Sequence, residues 1–279
     1  MIRSCVIGWP ISHSRSPLIH GYWLKKYGIE GSYTRQPVAP ETLATFVSEL
    51  GASGFSGCNV TLPHKEAVFA LVTRADESTE RLGAVNTVYL RDGETLGTNT
   101  DGEGFINSLK QAIPDLSLAG TRAMVLGAGG ASLAVVNALL EQGVEELVVA
   151  NRTLERAEQL RRRFGARVAP LAWAQAGEQL GDCGLLVNTT SLGMKGQPEL
   201  QLDLSHLAVD TVVTDIVYTP LRTRLLSDAA GRGNRVVEGL GMLLHQAVRG
   251  FSLWFGVTPE VTPELHDLVA RDIDPEYRR

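Results

Sequence analysis

A short apolar run that breaks on glycines and continues as a helix constrains this chain more than any other feature. Ala123-Met124-Val125-Leu126 reads as a buried strand, Gly127-Ala128-Gly129-Gly130-Ala131-Ser132 as a turn, and 131–142 as the helix that follows. Glycine at 127 permits the tight turn, and glycine at 129 lets a ligand approach the backbone closely. The third position of the usual fingerprint is Ser132, a small residue but not glycine. A glycine triplet alone is a weak signal. Here a strand precedes it and a helix follows, so free N–H groups at the helix start face the turn, the setting in which a pyrophosphate binds. The turn is read as a dinucleotide site rather than a purely structural bend.

The end of the next strand, 146–150, bears on which dinucleotide. A carboxylate there would take hydrogen bonds from a ribose 2′-hydroxyl. This chain has Asn151-Arg152-Thr153 instead, with Arg156 one helical turn on. A guanidinium pairs with a 2′-phosphate that a carboxylate would repel, so NADP is expected over NAD. Thr153 is also placed to cap the following helix.

Around this centre, apolar runs alternate with helix-length amphipathic segments, the pattern of an α/β protein with mainly parallel sheets. In the first third, strands are expected near 5–8, 32–37 and 54–60, with helices at 17–26, 41–49 and 65–71. A hairpin is expected over 85–90 and 95–97, turning on Asp92-Gly93. After Asp101 come a helix at 104–112, then strands at 123–126, 146–150, 185–188, 212–216 and 235–237. That order suits a doubly wound, Rossmann-type nucleotide domain. The expected organisation is an N-terminal α/β substrate domain at 1–103, a dinucleotide domain at 104–238, and C-terminal helices at 239–279 returning to the first. The helix 240–255 makes that return.

The net charge of −5 gives no reason to expect a nucleic-acid or anionic-membrane partner. Arg161-Arg162-Arg163 is the one basic cluster and reads as a solvated helix face. Three cysteines, Cys5, Cys58 and Cys183, fit neither a disulfide framework nor a zinc site, and are read as buried thiols. The N-terminus reads as a strand rather than a signal peptide, and no apolar run approaches the roughly twenty residues of a membrane span. A reduced, cytoplasmic setting is expected, with a monomer or homodimer as the assembly.

Four polar clusters stand out in the first domain: Ser12-His13-Ser14-Arg15-Ser16-Pro17 before a helix, Asn59-Val60-Thr61-Leu62-Pro63-His64-Lys65 after a strand, Asn86-Thr87, and Thr98-Asn99-Thr100-Asp101-Gly102. Hydroxyls and free N–H groups at a helix start suit a carboxylate, although Ser-x-Ser-Pro also serves simply as a helix cap. His13, His20 and His64 are alternative bases. A continued strand would point His64 away from Lys65.

Taken with the glycine turn, these clusters carry a resemblance. Ser14-x-Ser16-Pro17, NVTLPHK at 59–65, GAVNT at 83–87, NTDG at 99–102, GAGGA at 127–131, NRT at 151–153 and GxxMLLHQ at 239–246 together resemble the shikimate dehydrogenase family, in its order and spacing. The resemblance implies reversible NADP-linked reduction of 3-dehydroshikimate to shikimate, in aromatic amino-acid biosynthesis. It implies that Ser14 and Ser16 bind the substrate carboxylate. Asn59, Thr61, Asn86 and Gln246 then hold ring hydroxyls, Tyr218 lines the site, and Lys65 and Asp101 form the catalytic pair. For the cofactor it implies Gly127, Ala128, Gly129, Gly130, Ala131, Asn151, Arg152, Thr153, Arg156, Ile216, Gly239 and Met242, with Glu77 a weaker match. The chain departs from the family at Gly21, at Thr223-Arg224-Leu225-Leu226, and in Asn188-Thr189-Thr190-Ser191-Leu192-Gly193-Met194, where threonine stands for alanine, none of them in the proposed pair.

The residues support that chemistry independently. Hydride arriving at a ketone carbon builds negative charge on oxygen, which an ammonium stabilises and protonates. Asp101 would orient Lys65, and the sequence leaves open which of the two moves the proton. Two rivals stand beside this reading. One is a quinate/shikimate dehydrogenase using NAD, which must fit an extra hydroxyl near Ser14 and Ser16. The other is a non-catalytic binding regulator, expected to lose Lys65 or Asp101 or to carry an added DNA-binding segment.

Overall fold

Strand β1 (Ile2–Gly8) starts a mixed sheet, its last five residues all buried. The computed structural model describes residues 1–278, and their contacts divide into two units. The first unit comprises Met1–Asp101 and Leu244–Val269. After β1 come α1 (Ser16–Lys26), β2 (Gly31–Pro37), α2 (Leu43–Ser48), β3 (Gly57–Val60), α3 (Lys65–Phe69), β4 (Thr73–Arg74), α4 (Glu77–Leu82), β5 (Thr87–Arg91) and β6 (Glu94–Thr98). The sheet order is β2-β1-β3-β5-β6-β4.

Pairing in this sheet is mainly parallel, as expected, and the exception centres on the expected hairpin. Strand β5 runs antiparallel to both β3 and β6. A two-residue turn at Asp92-Gly93, with Asp92 at φ 52°, sends the chain straight back, which only antiparallel strands allow. One side of the sheet is packed with Cys5, Ile7, Cys58, Val60, Val85 and Val88 against Leu43, Val47 and Val68 of the helices. Elsewhere in the unit, Trp23 and His20 of α1 pack against Phe251 of α9 (Leu240–Phe255). Trp254 donates from Nε1 to the Val88 carbonyl, fixing α9 to β5.

The second unit takes Gly102–Leu243 and 270–278. Helix α5 (Asp101–Ala112) leads into β7 (Arg122–Leu126), α6 (Gly130–Glu141), β8 (Glu146–Asn151), α7 (Leu154–Phe164), β9 (Val168–Ala172), β10 (Leu185–Asn188), β11 (Val212–Asp215), α8 (Arg224–Gly231) and β12 (Val236–Val237), with α10 (Pro263–Ile273) closing the chain. All the strand pairings are parallel, in the order β12-β11-β10-β7-β8-β9. Alternate residues of β7 face opposite cores: Ala123 and Val125 join one, Met124 and Leu126 the other. This is the doubly wound order, and its direction reverses between β7 and β10, where such sheets bind ligands beyond the strand ends. The glycine turn follows β7.

Helix α5 starts at Asp101 rather than 104, and β3 at Gly57 rather than 54. Residues 239–243, expected with the returning segment, group with the second unit instead. The reason is local: a side chain at Gly239 would lie 2.6 Å from the Ile216 and Val217 carbonyl oxygens, so the chain runs against β11's end there. Among the described residues, no helix is long and apolar enough to cross a membrane.

Candidate active site

In the first unit, β3 ends at Val60 and the chain turns into α3, whose first residue is Lys65. Its ammonium lies 2.6 Å from Asp101 Oδ2, with the two side chains 28% and 16% exposed. The pair is therefore sheltered but reachable by a small molecule. Asn86 Nδ2 donates to the other Asp101 oxygen at 2.8 Å, and the Asn99 side chain accepts from the Asp101 backbone N–H. Asp101 is held on both sides before any ligand arrives.

Behind this pair runs a chain of buried hydrogen bonds whose directions are all assigned. The Asn86 carbonyl can only accept, so the Asn59 group facing it at 3.2 Å is the NH₂. Asn59 Nδ2 also donates to Thr87 Oγ1, which donates to Asn86 Oδ1. On the other side, the Tyr33 hydroxyl donates to Asn59 Oδ1 at 2.5 Å. Burial pushes the Tyr33 pKa up, which keeps the phenol protonated and able to donate. Thr100 donates to the Gln246 carbonyl and accepts from Asn86 Nδ2, tying α9 to the same cluster.

The Ser14 and Ser16 hydroxyls lie 3.3 Å apart where α1 begins. The helix-cap alternative is not what forms: Arg15 holds the cap position and makes no side-chain capping bond. Thr61 sits just past β3, half-buried, its hydroxyl without a hydrogen-bond partner among the described residues. Glu77 is exposed in the first turn of α4 and belongs to the first unit. Tyr218 follows β11 in the second unit.

None of the three alternative bases joins Lys65 and Asp101. His64 does not continue a strand; it caps α3, and its Nε2 lies 2.7 Å from the Val38 carbonyl. His13 is exposed. His20 is fully buried, stacked on Tyr33 at 3.9 Å with the rings 7° apart, and neither of its nitrogens has a hydrogen bond. Burial lowers its pKa to about 3. The folded protein thus refuses a proton that the unfolded chain takes up below 6.5. Stability from this group is complete above pH 6.5 and is lost as pH falls towards 3. Between pH 7.5 and 5, wild type should lose about 2 kcal/mol more unfolding free energy than His20→Phe, which keeps a flat ring without the proton. Urea titrations at the two pH values check this, and equal losses would assign the acid sensitivity elsewhere. His245, lowered by burial to about 4, acts in the same direction and remains in the variant.

In the second unit, Gly127 has φ 104°, and a side chain there would meet Thr190 Cγ2 at 2.8 Å. Only glycine meets both demands. Nothing lies within 4 Å of where side chains at Gly129 and Gly130 would stand, so the turn opens to space at the start of α6. Helix α6 has no side-chain cap. Ala128 N–H donates to Asn151 Oδ1, which ties the turn to the end of β8, and Ala131 stands in the first turn of α6. Thr153 occupies the cap position of α7 but makes no side-chain capping bond, contrary to expectation; its carbonyl instead accepts from Asn151 Nδ2.

Arg152 and Arg156 are exposed and, among the described residues, have neither an ion pair nor a side-chain hydrogen bond. Neighbouring Glu155 is taken by Arg162. Two uncompensated guanidiniums at the end of β8 suit a phosphate. Ile216 and Met242 pack, half-buried, against one core of the unit.

Sequence reasoning missed the knot around Asp215. This buried carboxylate accepts from Asn188 Nδ2, the Val217 N–H and Thr223 Oγ1, which joins the loops after β10 and β11. Burial raises its pKa against those three bonds. The available signal was an aspartate directly after the β-branched run Val212-Val213-Thr214. Among the described residues, no group of His, Cys, Asp and Glu could hold a metal ion.

The family model "Shikimate dehydrogenase substrate binding domain" matches residues 6–88, "Shikimate / quinate 5-dehydrogenase" residues 108–193, and "Shikimate 5'-dehydrogenase C-terminal domain" residues 239–263. A shikimate dehydrogenase (NADP(+)) of Rhodopseudomonas palustris strain TIE-1 is 56% identical over 98% of this chain and 98% of its own length. Shikimate 5-dehydrogenase of Thermus thermophilus, solved with NADP(H) and shikimate, superposes with a TM-score of 0.85 at 38% identity, covering 98% of this chain and 100% of that one. Quinate dehydrogenase of Corynebacterium glutamicum, solved with NAD, gives 0.88 at 32% identity, covering 96% and 98%.

Proposed function

The chain belongs to the shikimate dehydrogenase family, and from that we infer that it catalyses the reversible NADP-linked reduction of 3-dehydroshikimate to shikimate. The observation that carries the chemistry is the 2.6 Å Lys65–Asp101 contact, already formed and sheltered in the folded chain. A small ring with one carboxylate and several hydroxyls suits the first unit's donors. Ser14 and Ser16 take the carboxylate; Asn59, Thr61, Asn86 and Gln246 take the ring hydroxyls, and Tyr218 lines the site. Lys65 Nζ stabilises the charge growing on the carbonyl oxygen and delivers its proton there. Asp101, pinned by Asn86, keeps Nζ aimed and accepts a hydrogen bond from the substrate hydroxyl; in the reverse direction the neutral Lys65 amine takes that proton back.

The second unit fits NADP, as its open glycine turn and two unpaired arginines indicate. Gly127–Ala131 and Asn151 would hold the pyrophosphate and adenosine end, Arg152, Thr153 and Arg156 the 2′-phosphate, and Ile216, Gly239 and Met242 the nicotinamide end. Glu77 is the least supported of these assignments. When bound, the cofactor supplies the hydride. Three buried free cysteines fit a reduced, cytoplasmic setting.

Initial rates with shikimate or quinate, crossed with NADP⁺ or NAD⁺, test this reading. Shikimate with NADP⁺ should be fastest. Quinate with NAD⁺ outrunning it would make the chain a quinate dehydrogenase, and no turnover with any pair would make it a binding protein.

A further inference from the structure

Ser14 and Ser16 offer hydroxyls but no charge, yet the ligand end assigned to them is an anion. A charged group from another element with a defined contact to this segment is Arg35, on β2. Its Nε and Nη2 both donate to the Ser14 carbonyl, at 2.9 and 2.5 Å. The fork thus grips the backbone of one of the two serines. Among the described residues, Arg35 has no acidic partner, so its charge is not cancelled within the protein. Ser14 N–H reaches the Ile11 carbonyl, and the Ser16 N–H reaches Ser14 Oγ only at 3.3 Å.

We propose that Arg35 is a specificity-determining residue for the substrate carboxylate: it positions Ser14 and supplies the positive charge that the serine pair lacks. This inference rests on the function proposed above. A planar fork can hold a carbonyl with two of its N–H groups and still present its charge to an anion nearby. Lysine would keep the charge but not the two-point grip. Because Arg35 is exposed, salt should weaken its effect.

Calorimetric binding of shikimate and of its uncharged carboxamide tests the idea on wild type, Arg35→Gln and Arg35→Lys. Arg35→Gln should weaken shikimate about ten-fold, the low end for a charge-assisted contact at an exposed group, and shift the carboxamide by less than about two-fold. Arg35→Lys should fall between wild type and Arg35→Gln, and the preference for the carboxylate should shrink as salt is raised. Equal weakening of both ligands, as a merely structural arginine would give, or no weakening at all, overturns the proposal. Should wild type itself bind no shikimate, the functional reading fails. A wild type that binds and discriminates, matched by an Arg35→Gln that discriminates equally, sinks only the role of Arg35.

Discussion

Replacing Lys65 with alanine is expected to lower kcat by about 10²–10⁴-fold while leaving KM for shikimate nearly unchanged. The size follows from what Nζ does. In the proposed role it would hold the oxygen most strongly as charge develops there, so its loss would fall on the transition state rather than on the bound substrate. The local structure should survive, because Asp101 keeps Asn86 Nδ2 and the Asn99–backbone contact after its ion-pair partner is gone. Circular dichroism and an unchanged affinity for NADP⁺ would confirm that the variant is folded. A large rise in KM at constant kcat would make Lys65 a binding group instead.

The second large effect concerns the cofactor. Replacing Arg152 and Arg156 together with glutamine should raise the Kd for NADP⁺ by about a hundred-fold or more, since a charge-assisted contact is worth about 1.5–3 kcal/mol. The Kd for NAD⁺ should move by less than about two-fold. Exposure of both side chains places the NADP⁺ effect towards the lower end and makes it salt-dependent. Equal losses for the two cofactors would remove the phosphate role and return both residues to the solvated surface. Among the described residues neither arginine has a partner to lose, so the change should cost little stability.

The parts of this molecule legible in its sequence are those where one local rule dominates. Gly127 had to be glycine because of its positive φ, and the apolar strand before it leaves little choice of element. Strand β10 and helix α9 match their expected limits because burial runs unbroken along the first and the amphipathic pattern along the second. What escaped was set by tertiary context. Strand β9 contains Pro170, which argues against a strand; it is tolerated because β9 is an edge, pairing only with β8. Strand β4 is two residues long and has no pattern to read. Helix α4 is announced only by Asp76, whose side chain accepts from the Thr79 N–H.

The candidate site divides in the same way. Lys65, Asp101 and Asn86 stand in recognisable motifs, and the structure brings them into hydrogen-bonding contact. Tyr33 and Arg35 stand two apart on β2, so alternation puts them on one face, yet Tyr33 is buried and Arg35 exposed, a difference the strand pattern does not announce. Their contacts with Asn59 and Ser14 cross from one strand to another or to a loop, and nothing near them in sequence announces either partner.

The buried chain from Tyr33 to Asp101 has a consequence for what can enter. Both hydrogens of the Asn59 amide are spent on Asn86 and Thr87, and Tyr33 occupies one lone pair of its oxygen. What remains is a single acceptor lobe. In the role proposed for Asn59, a ring hydroxyl bound there would have to bring the hydrogen itself, while a fluorine or an ether oxygen of similar size would set lone pair against lone pair. Shape alone would admit all three; Asn59 would sort them by who gives and who receives.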